Sequence, residues 1–154
     1  MDARAARTFG SMFAMAIVER RGVGAGTVNV AVVDDDAGVR SALARLLRAA
    51  GFNPVGYSSA EGFLDDPGRA QTDCLVLDVH LGGMSGLDLQ ERITAGGVAP
   101  PIIFVTAHEE PDAQERAQRA GCVAFFHKPV PGRALLEAVR QAVDPSPRSA
   151  GPAR

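Results

Sequence analysis

Apolar residues come in short unbroken runs along this chain, and most runs end on a polar residue. "VNVAVV" (28–33), "CLVLD" (74–78), "PIIFVTA" (101–107) and "VAFFH" (123–127) are rich in β-branched and aromatic residues and too short for buried helices, so they predict strands. "NPVGY" (53–57) predicts a weaker strand, because Pro54 and Gly56 suit an edge better than a centre. Between these runs apolar positions recur at helical spacing. Val39, Leu43, Leu46, Leu47 and Ala50 share one face of a helix that starts at Ala37 and is stopped by Gly51. "AEGFL" predicts a brief helix behind a capping box of Ser58 and Glu61. Three more helices pass through Leu89 and Ile93, run from Pro111 to Ala120 with Gly121 as stop, and follow Pro129 with Leu135, Leu136, Val139 and Val143 on the apolar face.

Five short apolar strands alternating with five helices call for a parallel sheet covered on both faces, since right-handed crossovers place helices above and below it. The expected fold is α/β: a doubly wound five-stranded parallel sheet of order 2-1-3-4-5, a flavodoxin-like three-layer sandwich. The 154 residues suffice for one domain, expected over 27–143. Residues 1–26 carry Phe9, Met12, Phe13, Ala16 and Ile17 at helical spacing among Arg4, Arg7, Arg20 and Arg21, ahead of Gly22, Gly24 and Gly26. A membrane-surface or targeting helix is the sharper reading of that segment; the short apolar run and the Glu19-Arg20-Arg21 after it favour a flexible or weakly helical extension. The Pro/Ser/Gly-rich stretch 144–154 reads as a disordered tail.

In such sheets the site lies beyond the carboxyl ends of the strands. The first predicted strand ends on Asp34-Asp35-Asp36, the third on Asp78, the fourth on Thr106 and the fifth on Lys128. Two carboxylates about 4 Å apart repel by roughly 4 kcal/mol at an effective dielectric of 20, so such acids await a cation. Their oxygens suit Mg²⁺, Lys128 suits a phosphoryl oxygen as a point charge, and Thr106 can donate to another.

Composition narrows the partners. A net charge of −2 with 46% apolar and 22% charged residues is ordinary for a globular chain and leaves no basic footprint for direct nucleic-acid contact. No apolar stretch is long enough for a membrane span. Cys74 and Cys122 have no metal-ligand spacing and read as small buried hydrophobes. The third and fifth strands should lie about 10 Å apart, beyond the roughly 7 Å reach of a disulfide, so both thiols should stay reduced, as in the cytoplasm.

Over about residues 28 to 143 the chain resembles the receiver domain of bacterial two-component response regulators, the CheY-like family. The resemblance is carried by "VVDDD" with Asp34 and Asp35, "LVLD" ending at Asp78, "IIFVTA" with Thr106, and "FFHKP" with Lys128-Pro129, at separations of 44, 28 and 22 residues counted from Asp34. It implies that Asp78 accepts a phosphoryl group from a histidine kinase or phosphotransfer protein. Mg²⁺ would be held by Asp35, Asp78 and the backbone carbonyl of His80, with Asp34 assisting through water. Lys128 would pair with the phosphoryl group, Thr106 would swing in to bond it, and the small Ala107 would leave it room. Phe125 would turn inward with Thr106, altering the surface of the fourth helix, fifth strand and fifth helix, where a homodimer partner or downstream protein would dock.

Two departures from the family pattern stand out. Gly82 followed by Gly83 occupies a position where proline is usual, which frees the loop after Asp78. His80 and His108, two residues after Asp78 and Thr106, take positions that in receivers flank the phosphate and influence its hydrolysis.

Competing readings differ in which acid reacts. Aspartate-nucleophile phosphohydrolases of the haloacid-dehalogenase type also begin with a strand running into Asp-x-Asp, as in Asp34-Asp35-Asp36, but Gly38 and the short stretch after Lys128 fit them poorly, and Asp78 would be unexplained. A receiver-like scaffold that takes no phosphate is the second alternative. Asp36 reads as a helix N-terminal acid outside the site. His127 should point away from it, because strand side chains alternate. With no output domain after Val143, the chain is read as a single-domain, phosphoaccepting signalling protein and not as an enzyme acting on other substrates.

Overall fold

The computed structural model describes residues 26–144, so the readings for the extension (1–26) and the tail (144–154) fall, but for Gly26 and Asp144, outside the described residues. The elements are β1 (Asn29–Val33), α1 (Ala37–Ala49), β2 (Asn53–Tyr57), α2 (Ala60–Asp65), β3 (Cys74–Leu77), α3 (Gly86–Ala95), β4 (Ile102–Thr106), α4 (Pro111–Arg119), β5 (Ala124–His127) and α5 (Gly132–Val143). All strand pairs are parallel, and the order β2-β1-β3-β4-β5 is the one expected. The three central strands are buried on both faces, which is why each reads as an unbroken apolar run. β2 is largely exposed at one edge, where Pro54 removes no needed donor.

Alternation along the strands divides the core. Ala31, Val33, Leu75, Leu77, Ile102 and Phe104 pack with Ala60 and Phe63 of α2, Leu87, Leu89 and Ile93 of α3, and Ala113 and Ala117 of α4. The intervening Val30, Val32, Cys74, Val76, Ile103 and Val105 are buried on the other face, where α1 and α5 lie and Leu47, Leu135 and Val139 are buried. The helices α1 and α4 run into Gly51 and Gly121, whose φ of 96° and 99° only glycine adopts without strain.

Two local readings need correction. The N-cap of α2 is Ser59 and not Ser58: its hydroxyl accepts from Gly62 N–H at 2.9 Å, and Glu61 does not reach back to close a capping box. A 3-10 turn over Pro67–Gln71, capped by Asp66, fills a stretch where the sequence pattern predicts no element. Cys74 sits in β3 and Cys122 just before β5 with β4 between, and both thiols are free. Among the described residues no helix is long and apolar enough to cross a membrane.

Candidate functional site

The centre of the sheet delivers two acids side by side. Val33 pairs with Leu77, and the ladder continues one residue further as Asp78 N–H donates to Val33 O at 3.0 Å, so Asp34 and Asp78 emerge level from neighbouring strands. Both are buried. From the far side of β4, Lys128 N–H donates to Thr106 O at 2.8 Å and its side chain crosses to the acids. Its ammonium lies 2.9 Å from Asp34 Oδ2 and 3.2 Å from Asp78 Oδ2. Asp36 N–H donates to Asp34 Oδ1 at 2.9 Å, and His80 N–H to Asp78 Oδ1 at 3.2 Å. Asp35 is exposed, and its carboxylate has no hydrogen-bond partner among the described residues.

The acids outnumber the base. Carboxylate oxygens of Asp34, Asp35 and Asp78 lie within 4.8 Å of one another, and with Lys128 the group keeps a formal excess of two negative charges. An all-oxygen donor set with that excess fits a hard divalent cation such as Mg²⁺. Asp35 brings free lone pairs, Asp78 a partly occupied carboxylate, and no N–H among the described residues donates to the His80 carbonyl. Asp34 and Asp78 each accept one hydrogen bond on either oxygen, at 2.9 Å for both on Asp34 and 3.2 Å for both on Asp78, so Asp34 is the more tightly held of the two.

Burial pushes the Asp78 carboxyl above its ordinary range; the His80 N–H and Lys128 oppose this, and the Asp34 charge adds to it. For Lys128 burial acts to lower the value, but the Asp34 hydrogen bond and the charges of Asp78 and Asp34 outweigh it and hold the ammonium above the usual lysine range. A carboxyl whose folded value is raised contributes stability that is full below its unfolded pKa and lost as pH rises through the folded one. At neutral pH and without metal, ionised Asp78 therefore strains the fold. Asp78→Asn, which cannot ionise, is expected to melt a few degrees above the wild type in EDTA at neutral pH, with the gap closing on acidification through the carboxylate range. A variant melting lower at neutral pH would contradict this.

Thr106 is buried at the end of β4, and its Oγ1 accepts from His108 N–H at 3.4 Å. It pairs across the sheet with His127, while Phe125 pairs with Phe104 two residues earlier. The Phe125 ring lies 5.7 Å from Phe104 and 5.6 Å from His127, half-buried. Thr106 and Phe125 are thus neighbours along one sheet face, and His127 lies on that face, away from Lys128, as alternation requires.

The rings of His80 and His108 meet with centroids 4.1 Å apart, and His80 Nε2 lies 2.8 Å from Glu110 Oε2. Glu110 stands at the N-cap of α4 but makes no capping bond there. Spacing along the chain points to the two histidines but not to Glu110, whose partner is 30 residues away on another loop. Asp36 caps α1 through Gly38 and Val39 N–H, the role expected of it.

Residues 30–140 match the family model described as response regulator receiver domain. Response regulator protein TmoT of Ectopseudomonas mendocina is 40% identical over 117 residues, covering 76% of this chain and 53% of its own. The chain thus spans about half the length of the curated relatives it matches. The crystal structure of a response regulator receiver protein from Burkholderia phymatum is 37% identical and covers 76% of this chain and 95% of its own at a TM-score of 0.67. A CheY-like receiver from Methanospirillum hungatei shares the fold at 22% identity and a TM-score of 0.74, over 80% of this chain and 99% of its own. This family is one of signalling proteins and not of classical enzymes. Sheet order, the acidic cluster at its carboxyl edge and a family match across most of the chain agree: the chain belongs to the response regulator receiver domain family.

Proposed function

We propose that Asp78 accepts a phosphoryl group from the phosphohistidine of a histidine kinase or phosphotransfer protein. The observation that carries this is the Lys128 ammonium bridging Asp34 and Asp78 at the mouth of the two central strands, beside a free Asp35. An oxygen of the Asp78 carboxylate attacks phosphorus, the P–N bond breaks, and its electron pair returns to the imidazole ring of the donor. Asp35, Asp78 and the His80 carbonyl would hold Mg²⁺, with Asp34 assisting, and the bound ion would supply charge neutralisation on the transferred oxygens. Lys128 then exchanges carboxylate for phosphoryl oxygen, and the Thr106 hydroxyl donates to another. Ala107, exposed and small, leaves space beside them.

The readout we propose is a population shift: Thr106 moves toward the phosphoryl group, Phe125 follows, and the surface of α4, β5 and α5 changes for a homodimer partner or downstream protein. Relatives named as response regulators and transcriptional regulatory proteins support a place in two-component signalling, in the reducing cytoplasm that two free thiols suit. The receiver unit is taken as 27–143.

Side-chain use speaks against the hydrolase. Its acid would be Asp36, which is spent capping α1, and it would leave Asp78, which shares the Lys128 ammonium with Asp34, without a role. Incubation with Mg²⁺ and acetyl phosphate should add the mass of one phosphoryl group to the intact protein, and Asp78→Asn should add none. Uptake persisting in Asp78→Asn and lost in Asp34→Asn would favour the hydrolase. No uptake from any donor would favour a scaffold.

A further inference from the structure

The loop that leads from Asp78 to α3 contains Gly82-Gly83, the residues with the widest backbone freedom, next to where the cation is expected. Its base is closed by Gly86 N–H donating to Val79 O at 2.9 Å, and Leu81 and Met84 rest on the core. A side chain from another element supplies the remaining tether. Glu61, in the first turn of α2, accepts Met84 N–H on Oε2 at 2.8 Å. The approach depends on Gly83: a Cβ there would sit 2.6 Å from that same oxygen. The Met84 hydrogen bond is also the chief reason the Glu61 carboxyl stays below its usual range, so the acceptor is ionised at neutral pH.

We propose that Glu61 is a positioning residue for the cation side of the site, holding the glycine loop so that the His80 carbonyl stays beside Asp35 and Asp78. This rests on the receiver reading of the site. Glu61 contacts neither the acids nor Lys128; it acts through the backbone of residues 80–84. A loop otherwise free to sample many conformations pays an entropic cost each time it closes on the ion, and pre-ordering it lowers that cost.

Gly82 offers a way to test the idea by replacing the tether. A Cβ at Gly82 meets nothing within 4 Å, its φ is outside the left-handed region, and its N–H has no partner among the described residues. Those observations leave room for a proline, whose ring would stiffen the loop without Glu61. Mg²⁺ titration by calorimetry on the folded chain, with amide exchange at Met84 in metal-free buffer, gives the readouts. Glu61→Ala is expected to raise the Mg²⁺ Kd about fivefold, the effect of one lost net hydrogen bond, and to expose the Met84 amide to exchange. Glu61→Gln, which keeps an oxygen acceptor, should stay near wild type, and Glu61→Ala with Gly82→Pro should regain most of the affinity while Met84 stays exposed to exchange. The melting temperature should change little throughout, since Glu61 is exposed. An unchanged Kd in Glu61→Ala, a Gln variant as weak as the Ala one, or no recovery with proline would overturn the proposal. Wild-type protein that ignores millimolar Mg²⁺ would instead overturn the reading of the site itself.

Discussion

Lys128→Met should melt about 10 °C below the wild type in metal-free buffer and lose phosphoryl uptake from acetyl phosphate. Methionine matches the lysine stem in volume, so packing is nearly kept and the change is one of charge. The Asp34 side chain is 3% and the Asp78 side chain 8% exposed, so water cannot replace the ammonium for either. Removing one partner of a buried ion pair costs about 3–5 kcal/mol; Lys128 itself is 21% exposed, which places the cost near the lower end. For a domain of this size about 3 kcal/mol corresponds to roughly 10 °C. Two companions separate charge from packing. Millimolar Mg²⁺ should restore much of the loss, because a divalent ion neutralises the same carboxylates, and adding Asp78→Asn should recover stability without recovering uptake. Melting followed by circular dichroism with and without Mg²⁺ decides. A Lys128→Met protein that melts within two or three degrees of wild type, by this about 3 kcal/mol reasoning, would mean the ammonium does not hold the acids together.

The same burial explains how much of the molecule is legible in its sequence. β1, β3 and β4 are covered on both faces, so "VNVAVV", "CLVLD" and "PIIFVTA" show as apolar runs, and the polar residue ending each run marks the sheet edge that bears the site. Convergence of Asp34, Asp78, Thr106 and Lys128 then follows from parallel topology alone. Contacts between loops carry no such periodic signal. Glu61 reads as half of a capping box because spacing speaks only of neighbours, while its actual partner, Met84 N–H, is 23 residues on. Ser58 and Ser59 are both able caps, and which one serves is decided by where the chain leaves β2. The pairing of His80 with Glu110 likewise requires the ends of β3 and β4 to be side by side first.

Gly86 is the residue whose importance is least visible beforehand, and Gly86→Ala is the second substitution expected to have a large effect. It is the first residue of α3, capped by Ser85, and in an open helix alanine would be favoured over glycine by up to about 1 kcal/mol. Here the helix start presses on the strand end that carries Asp78. A Cβ at Gly86 would overlap the Asp78 carbonyl oxygen and fall 3.0 Å from its carbonyl carbon and 3.1 Å from Val79 Cα. All three are backbone atoms, so no rotamer change relieves the overlap. Either α3 lifts away, breaking the Gly86 N–H to Val79 O bond and unpacking buried Leu87 and Leu89, or the end of β3 shifts and carries Asp78 from Lys128. Overpacking of this kind costs about 3 kcal/mol, which outweighs the propensity gain and makes the sign unambiguous. Gly86→Ala should therefore melt roughly 10 °C lower, and whatever folds should take up phosphoryl groups poorly. Gly82→Ala, four residues earlier, is the control: nothing lies within 4 Å of its Cβ, and its stability should stay within about 0.5 kcal/mol of wild type. Equal melting of the Gly86→Ala and Gly82→Ala proteins would show that α3 and β3 do not approach as closely as the site requires.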